Sequence, residues 1–224
     1  MNHKNIVERS LISKKGDLKY LGMKNGELYE CIITTENPDK TSNAAPIGVL
    51  CKDPEHVILY LYDGTHTLEN IKRSNFFVVN LTKNSLIFTK TTLSDISEDN
   101  FKYYKEYPYI EEADAFFMVK TEKIKDITKN NSLGSANMSI ITGKVKNVVK
   151  IKEFNQPLNR GIYAVIESLI HYTRMNLADK NTQISYWGRI KEMNRVVQKV
   201  GSKEDKLSMK EIITKIKSEY NNLE

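Results

Sequence analysis

The sequence predicts a mainly β fold with added helices (β + α): a six-stranded antiparallel barrel followed by a C-terminal helical extension. Three observations support this class. Short β-branched and aromatic runs with turn residues between them fill the first part of the chain. These runs do not alternate with long helical patterns, so a doubly wound parallel sheet is not expected. The last third instead carries apolar residues at the 3.6-residue helical period.

Six stretches have the composition of strands. They cover residues 28–35, 45–52, 56–62, 76–81, 113–125 and 138–151. A short capped helix is expected after the Asp63–Gly64 turn, with Thr67 at its start and Asn70 three residues later. Residues 83–112 are polar and lack a period, which predicts short helices and loop packed over the barrel.

The chain divides into three predicted parts. They are an N-terminal arm or short helix (1–25), the barrel (26–155) and a helical extension packed on the barrel (156–224). Helices are expected from Pro157, over 182–200 and over 203–222. On the first of them, Ile162, Val165, Ile166, Leu169 and Ile170 form an apolar face, and Arg160, Glu167, His171 and Arg174 lie opposite.

Composition narrows the class of protein. The 224 residues are 40% hydrophobic and 28% charged, as in an ordinary globular protein. No apolar run approaches the ~20 residues that span a bilayer, and the N-terminus resembles no secretory signal. With two cysteines and no metal-ligand spacing, a cytoplasmic protein is expected. The net charge of +6 comes from scattered lysines, which disfavours nucleic acid and suits a small anionic ligand.

The stretch Ser42-Asn43-Ala44-Ala45-Pro46 is the first candidate site. Pro46 cannot donate a ladder hydrogen bond, so the strand is an edge or is bulged there. The alanines would let a flat ligand approach the backbone, beside polar groups from Ser42 and Asn43. The alternative is a wide hairpin loop that leads into a proline-marked edge strand.

Two further stretches could bind anions. Thr65, His66, Thr67 and Asn70 surround the start of the short helix, where free N–H groups favour an anion, although a simple N-cap explains Thr67 equally well. The stripe of Arg160, Glu167, His171 and Arg174 fits a buried interface or an anionic ligand. A solvated ion-pair face is its alternative. No catalytic triad or phosphate-binding glycine loop is present, so no catalytic residue is assigned.

The segments ECIITT, SNAAPIGV, THTLENIKRSNFFVVNLT and NRGIYAVIESLIHYTR occur in this order. Together they resemble the archaeal domain-of-unknown-function 447 family, FMN-binding split-barrel proteins related to flavin reductase-like proteins. The resemblance runs from about residue 26 to the C-terminus. It implies a homodimer that holds FMN at its interface. The cofactor-binding residues implied are Ser42, Asn43, Ala44 and Ala45 at the ring, Thr65, His66, Thr67 and Asn70 at the phosphate, and Arg160, His171 and Arg174. Where the family has Asp-Gly in a turn, this chain has Asp39-Lys40.

The resemblance leaves the activity open. An FMN-dependent oxidoreductase would take electrons from NAD(P)H or another small-molecule reductant, whereas a flavin carrier or sensor would not. A basic nucleic-acid-binding barrel is a further alternative, and a deazaflavin or haem could replace FMN. If the ring lies on this strand, a leucine at Asn43 is expected to crowd it without unfolding the protein.

Overall fold

The structure, a computed structural model, describes residues 12–131, 134–153 and 156–220. Its contacts separate two compact units, Met1–Leu158 and Asn159–Glu224, called here the barrel unit and the helical unit. The strands are β1 (Ile12–Lys15), β2 (Leu28–Glu36), β3 (Ser42–Asp53), β4 (His56–Tyr62), β5 (Phe76–Leu81), β6 (Phe101–Tyr104), β7 (Tyr107–Ile110), β8 (Ala115–Asn131) and β9 (Gly134–Lys150). The α-helices are α1 (His66–Ser74), α2 (Ser85–Leu93), α3 (Gly161–Met175), α4 (Lys180–Val200) and α5 (Lys203–Glu219), and Leu18–Leu21 and Glu98–Asn100 form 3₁₀ turns.

The barrel is closed by strand pairing alone. Its hydrogen-bonded order is β9-β4-β3-β2-β5-β8, and β8 pairs again with β9. All pairings are antiparallel, so the predicted six-stranded antiparallel barrel is confirmed. Each barrel strand contributes a side chain to one buried cluster: Ile33, Val49, Leu59, Phe77, Phe117 and Ile141. Burial of such side chains stabilises a fold by roughly 1.5–3 kcal/mol each.

The N-terminal region joins the barrel instead of standing apart from it. Strand β1 pairs with the end of β9, from Ile12 opposite Lys150 to Lys15 opposite Asn147. Leu18 and Leu21 follow in a 3₁₀ turn and are buried in the barrel core. The predicted arm or short helix is therefore partly a strand. Residues 1–11 lie outside the described part of the chain.

The polar segment 83–112 contains a hairpin that the sequence analysis missed. After helix α2 and a 3₁₀ turn, the four-residue strands β6 and β7 pair with each other only, so they form a second, two-stranded sheet. Phe101 and Ile110 pack beside Ile32, and Tyr109 stacks on Phe116 with 4.3 Å between ring centroids. The segment covers the outside of the barrel, as predicted, with a sheet in addition to short helices.

One buried amide fastens this hairpin to the barrel. Asn80 of β5 is fully buried, and its Nδ2 donates to the Ile32 carbonyl and to Thr34 Oγ1, both at 3.0 Å. Its Oδ1 accepts from the Ile110 N–H at 2.8 Å. The Thr34 hydroxyl in turn donates to the Pro108 carbonyl at 2.6 Å. Three strands are thus fixed by one side chain, because a buried amide that lost these partners would be costly.

The helical unit packs through small residues of α3. Gly161, Ala164 and Ser168 are buried there, whereas Ile162, of the predicted apolar face, is 47% exposed. Two more members of that face, Ile166 and Leu169, are also exposed. Of this apolar face, Val165 is buried. Small side chains let helix backbones approach closely, and hydrophobicity alone does not identify them.

No helix among residues 12–131, 134–153 and 156–220 is both long enough and apolar enough to cross a membrane.

Two glycines allow a matched test of the close approach in the helical unit. A Cβ at Gly161 would lie 2.6 Å from the Gly201 Cα, whereas a Cβ at Gly188 would meet nothing within 4 Å. Gly161→Ala should lower the free energy of unfolding by about 1–3 kcal/mol through overpacking. Gly188→Ala should raise it by up to about 1 kcal/mol, because alanine favours the helix.

Urea unfolding followed by the fluorescence of Trp187 would measure both effects, since it is the chain's single tryptophan and is buried in the helical unit. Equal shifts of the two midpoints would contradict the close approach.

Candidate functional site

Strand β3 has one unpaired edge. It pairs with β2 along its length, from Leu28 opposite Leu50 to Glu36 opposite Ser42. With β4 it pairs only from Val49 onward. Within the described residues, no strand therefore lies beside the other edge over residues 42–48. Pro46 lies in this interval, which confirms the predicted edge, because an unpaired edge tolerates a missing N–H.

The residues of the candidate stretch point to opposite faces of β3, because side chains alternate along a strand. Ala44 packs beside Ile32 and Ile87, under helix α2. On the same face, the Ser42 hydroxyl donates to Glu98 Oε2 at 3.0 Å and lies 2.9 Å from the Tyr103 hydroxyl. The Ser42 N–H also donates to the Glu98 carboxylate. Asn43 and Ala45 belong to the other face.

On that other face, Asn43 is part of a buried network. Its Nδ2 donates to Thr35 Oγ1 and to Thr67 Oγ1, each at 3.1 Å. The Nδ2 of Asn70 donates to the same Thr35 oxygen at 3.0 Å and to Asn37 Oδ1 at 2.8 Å. Asn43, Thr35, Thr67 and Asn70 are each at most 7% exposed. The network therefore ties α1 to the β2–β3 hairpin.

Asn43 is thus a buried residue whose hydrogen bonds link helix α1 to the β2–β3 hairpin. A leucine there would leave the Thr67 hydroxyl without its amide partner, and Thr35 Oγ1 would keep only the hydrogen bond from Asn70, at a cost of about 1–3 kcal/mol. The expectation that Asn43→Leu leaves the fold undisturbed does not agree with this burial.

Helix α1 begins two residues earlier than a cap at Thr67 predicts. Thr65 occupies the N-cap position, and its hydroxyl donates to the Tyr62 carbonyl at 3.0 Å without capping the helix. Thr67 lies in the first turn and is buried, so the N-cap interpretation of Thr67 was wrong. Thr65 and His66 are exposed at the helix start.

A cavity of about 600 Å³ opens between the hairpin tip and the start of α1. Its lining residues are Asn37, Pro38, Asp39, Thr41, His66, Glu69, Asn70 and Asp95. Three of these side chains are carboxylates, and none is a lysine or arginine. Hydrogen bonds from the Thr41 hydroxyl and N–H lower the pKa of Asp39, so this carboxylate is charged at neutral pH.

The basic side chains beside the cavity are already engaged. Arg73 donates to the Glu36 carbonyl and lies 3.4 Å from Asn70 Oδ1. Lys40 forms an ion pair with Glu36 at 2.8 Å. The predicted phosphate contact at the start of α1 therefore has helix N–H groups and hydroxyls available but little positive charge.

At the tip of the β2–β3 hairpin, Lys40 occupies the position where the family has the glycine of an Asp-Gly turn. Lys40 has a φ of 74°, in the left-handed region. A side chain there costs roughly 1–2 kcal/mol relative to glycine, which adopts this conformation readily. The chain therefore carries an unfavourable residue at this position of the turn.

The remaining predicted residues belong to the helical unit. Arg160 is exposed at the N-cap position of α3, and Arg174 is exposed near the end of this helix. His171 is partly buried and stacks on Tyr186 of α4, with 5.1 Å between ring centroids. Burial lowers the pKa of His171 below its usual value, as do the nearby positive charges of Arg189 and Arg174, against a raising effect of Glu167.

The structure thus brings Asn43, Thr67 and Asn70 together and places Ser42 and Ala44 on the opposite face. Thr35 was not among the predicted site residues, and it lies directly across from Asn43 in the hairpin register. A hairpin centred on residue 39 would have identified this partner.

Comparison with known proteins supports a family assignment. Residues 29–147 match the N-terminal domain of the DUF447 family of proteins of unknown function, and residues 159–214 match its C-terminal domain. The chain belongs to the DUF447 family. It is 29% identical over 185 residues to an uncharacterized protein of Methanocaldococcus jannaschii, which covers 80% of this chain and 93% of that protein.

A solved member of the DUF447 family is also similar. It is an FMN-bound protein from Methanosarcina mazei, 27% identical, with a TM-score of 0.51 over 88% of this chain and 99% of that one. The styrene monooxygenase flavin reductase of Pseudomonas putida S12 is more distant, at 17% identity and a TM-score of 0.42 over 58% of this chain and 83% of that one.

Two threonines in the site provide a matched pair. Thr67→Val removes the buried hydroxyl that accepts from Asn43, and should lower the free energy of unfolding by about 1–2 kcal/mol. Thr65→Val removes an exposed hydroxyl and should change it by less than about 0.5 kcal/mol. Urea denaturation followed by circular dichroism would measure both. If the two variants were equally stable, the network would not hold α1.

The strained turn offers a second prediction. Lys40→Gly should raise the free energy of unfolding by about 0.5–1 kcal/mol, because relief of the left-handed lysine exceeds the added entropy of the unfolded glycine. Lys52→Gly, at an exposed strand position of β3, is the control and should be destabilising. A loss of stability in Lys40→Gly would mean that its ion pair with Glu36 matters more than the backbone strain.

Proposed function

We propose that this DUF447 protein binds FMN at the unpaired edge of β3, beside the cavity at the start of α1. The observation that carries the proposal is the FMN-bound family member from M. mazei, to which both units of this chain contribute similarity. The local geometry fits a ligand as well. Small residues border an unpaired backbone edge, and the adjacent cavity lies within the ~300–1,000 Å³ range of small-molecule sites.

The residues would then have distinct roles. The backbone and small side chains of Ala44 and Ala45 would allow a planar ring to approach. Ser42, Thr65 and His66 would offer polar groups from the surface. Asn43, Thr67 and Asn70 would hold α1 and the hairpin in their positions through the buried network. Arg160, His171 and Arg174 stay proposed as cofactor-binding residues of the helical unit.

The reaction class follows from the cofactor. When bound, FMN would supply two-electron chemistry, accepting a hydride from NAD(P)H or from another small-molecule reductant. The chain's own contribution is to bind and orient the ring, and no acid or base is assigned to the reaction. We also propose that the protein is a cytoplasmic homodimer with flavin at its interface.

A flavin carrier or sensor is the second candidate. The observation that favours it is the acidic lining of the cavity by Asp39, Glu69 and Asp95. Three carboxylates would repel the phosphates of a nicotinamide nucleotide that entered there. They would repel the FMN phosphate as well, so the ring of FMN, and not its phosphate, would face this cavity. The same charge disfavours a nucleic acid at this site.

The visible spectrum of the purified protein tests the cofactor, with the released chromophore identified by mass. FMN is expected, and the mass separates it from a deazaflavin or haem. A colourless protein that takes up no added FMN would refute the proposal. Addition of NADH or NADPH without oxygen then separates the candidates, because an oxidoreductase is bleached and a carrier or sensor is not.

A variant that fills the cavity tests the location. Asp95 lines the cavity from an exposed position, so Asp95→Trp should occupy part of it and raise the Kd for FMN at least tenfold. Asp99→Trp, on an exposed neighbouring residue that does not line the cavity, is the control. Fluorescence titration of the apoprotein measures both. An unchanged Kd in Asp95→Trp would place the flavin elsewhere.

A further inference from the structure

Two tyrosines point outward from strand β4 of the barrel. Val57, Leu59 and Leu61 of this strand are buried in the barrel core. Because side chains alternate along a strand, Tyr60 and Tyr62 lie on the outer face, where they are 45% and 55% exposed. Within residues 12–131, 134–153 and 156–220, neither tyrosine makes a side-chain hydrogen bond or a ring contact. Both rings are therefore available to a ligand.

The strand register places lysines on the same outer face. Tyr60 lies opposite Ile140 of β9, which lies opposite Lys125 of β8, and directly opposite residues of antiparallel strands share a face. The next two rows across β4, β9 and β8 are Ile58–Thr142–Lys123 and His56–Lys144–Lys120. Strand β8 thus contributes a lysine column, which consists of Lys120, Lys123 and Lys125.

The positive charge of the lysine column is not compensated by ion pairs. All three side chains are exposed, and none forms an ion pair or a hydrogen bond in the part of the chain that the structure describes. Two carboxylates close to this face already have other partners. Glu55 pairs with Lys144 at 3.5 Å, and Glu122 lies 3.5 Å from His56 Nε2.

The spacing of these side chains suits an extended single strand of nucleic acid. Residues two apart on one strand lie about 6.6 Å apart, which is comparable to the phosphate repeat of an extended single strand. This spacing applies to Tyr60 and Tyr62, and also to Lys123 and Lys125. The two sets lie two strands apart, or roughly 9–10 Å. Bases at the tyrosines would therefore place phosphates near the lysines.

We propose that the outer face of β4, β9 and β8 binds single-stranded nucleic acid. Bases would stack on Tyr60 and Tyr62, and phosphates would pair with the lysine column. Every base has an aromatic face, so such binding tolerates many sequences. The lysines are scattered along the sequence, and only the strand register gathers them on one face, as a nucleic-acid surface requires. This inference goes beyond the proposed flavin function and does not depend on it.

Fluorescence anisotropy of a labelled oligouridylate of about 12 nucleotides, titrated with the full chain, tests this surface. The triple variant Lys120→Gln/Lys123→Gln/Lys125→Gln should bind at least tenfold more weakly. Its slope of log K against log salt concentration should be less steep by about 2, because each phosphate contact contributes roughly 0.7. The matched control changes three exposed lysines of other elements in the barrel unit, and it is Lys19→Gln/Lys24→Gln/Lys90→Gln. Equal binding by the two triple variants would overturn the proposal.

The tyrosines provide a readout that positive charge alone does not produce. Tyr60→Leu/Tyr62→Leu keeps an apolar surface but removes both rings, so it should bind the oligouridylate at least tenfold more weakly. Its salt dependence should be unchanged, because base stacking releases no counterions. Circular dichroism checks that each variant is folded. An unaltered affinity of this double variant would refute base stacking on this face.

Other occupants of the face give different results, and each would overturn the proposal. Binding to phosphatidylserine vesicles without saturable binding of the oligouridylate would indicate a membrane surface. Conversion of a dimer to a monomer by Tyr60→Leu/Tyr62→Leu in analytical ultracentrifugation would indicate an interface between two copies of this chain. Tighter binding of a duplex than of the single strand would also contradict stacking, because the bases of a duplex are already stacked on each other.

Discussion

Every strand of a closed barrel has two edges to satisfy, and among the strands that the structure describes, β3 finds a partner for only one of them over residues 42–48. Strand β4 leaves it after Val49 and continues along β9, which keeps the barrel closed. The backbone groups along the vacated edge need other partners, because unpaired polar groups away from water are costly. Glu98 already supplies one, at the Ser42 N–H. The separation of β4 from β3 therefore leaves backbone groups of β3 in need of hydrogen-bond partners, and it also leaves room for a ligand beside this edge.

Buried side-chain amides fix the segments on both faces of the sheet beside this edge. Helix α1 follows β4 directly and is tied back to the hairpin by the amides of Asn43 and Asn70. On the opposite face, Asn80 fastens the β6–β7 hairpin. Both connections use buried side-chain amides that each make at least two hydrogen bonds. Such amides favour one arrangement of the chain, because an arrangement that left some of these hydrogen bonds unmade would be unfavourable. The edge is exposed in a rigid frame.

The net charge of the chain does not predict the sign of the charge at the cavity beside α1 or around His171. The chain carries +6 overall, yet the cavity beside α1 is lined by Asp39, Glu69 and Asp95. On the helical unit, burial and the positive charges of Arg189 and Arg174 lower the pKa of the partly buried His171. Electrostatic interaction falls off with distance and salt, so a ligand responds to these local groups and not to the total.

The sequence by itself determined the class of fold, the six barrel strands and the presence of three C-terminal helices, since periodicity is a local property. It also marked Pro46 as an edge residue, because a missing N–H has the same consequence in any context. Tertiary structure decided what periodicity cannot express. The strands of the β6–β7 hairpin have only four residues each, which is too short to show a clear period, and aromatic packing on the barrel stabilises them. The buried positions of α3 include Gly161, Ala164 and Ser168, because helices can approach each other closely where the side chains are small. Glu98 meets Ser42 across 56 positions of sequence, and only the folded chain could bring them together.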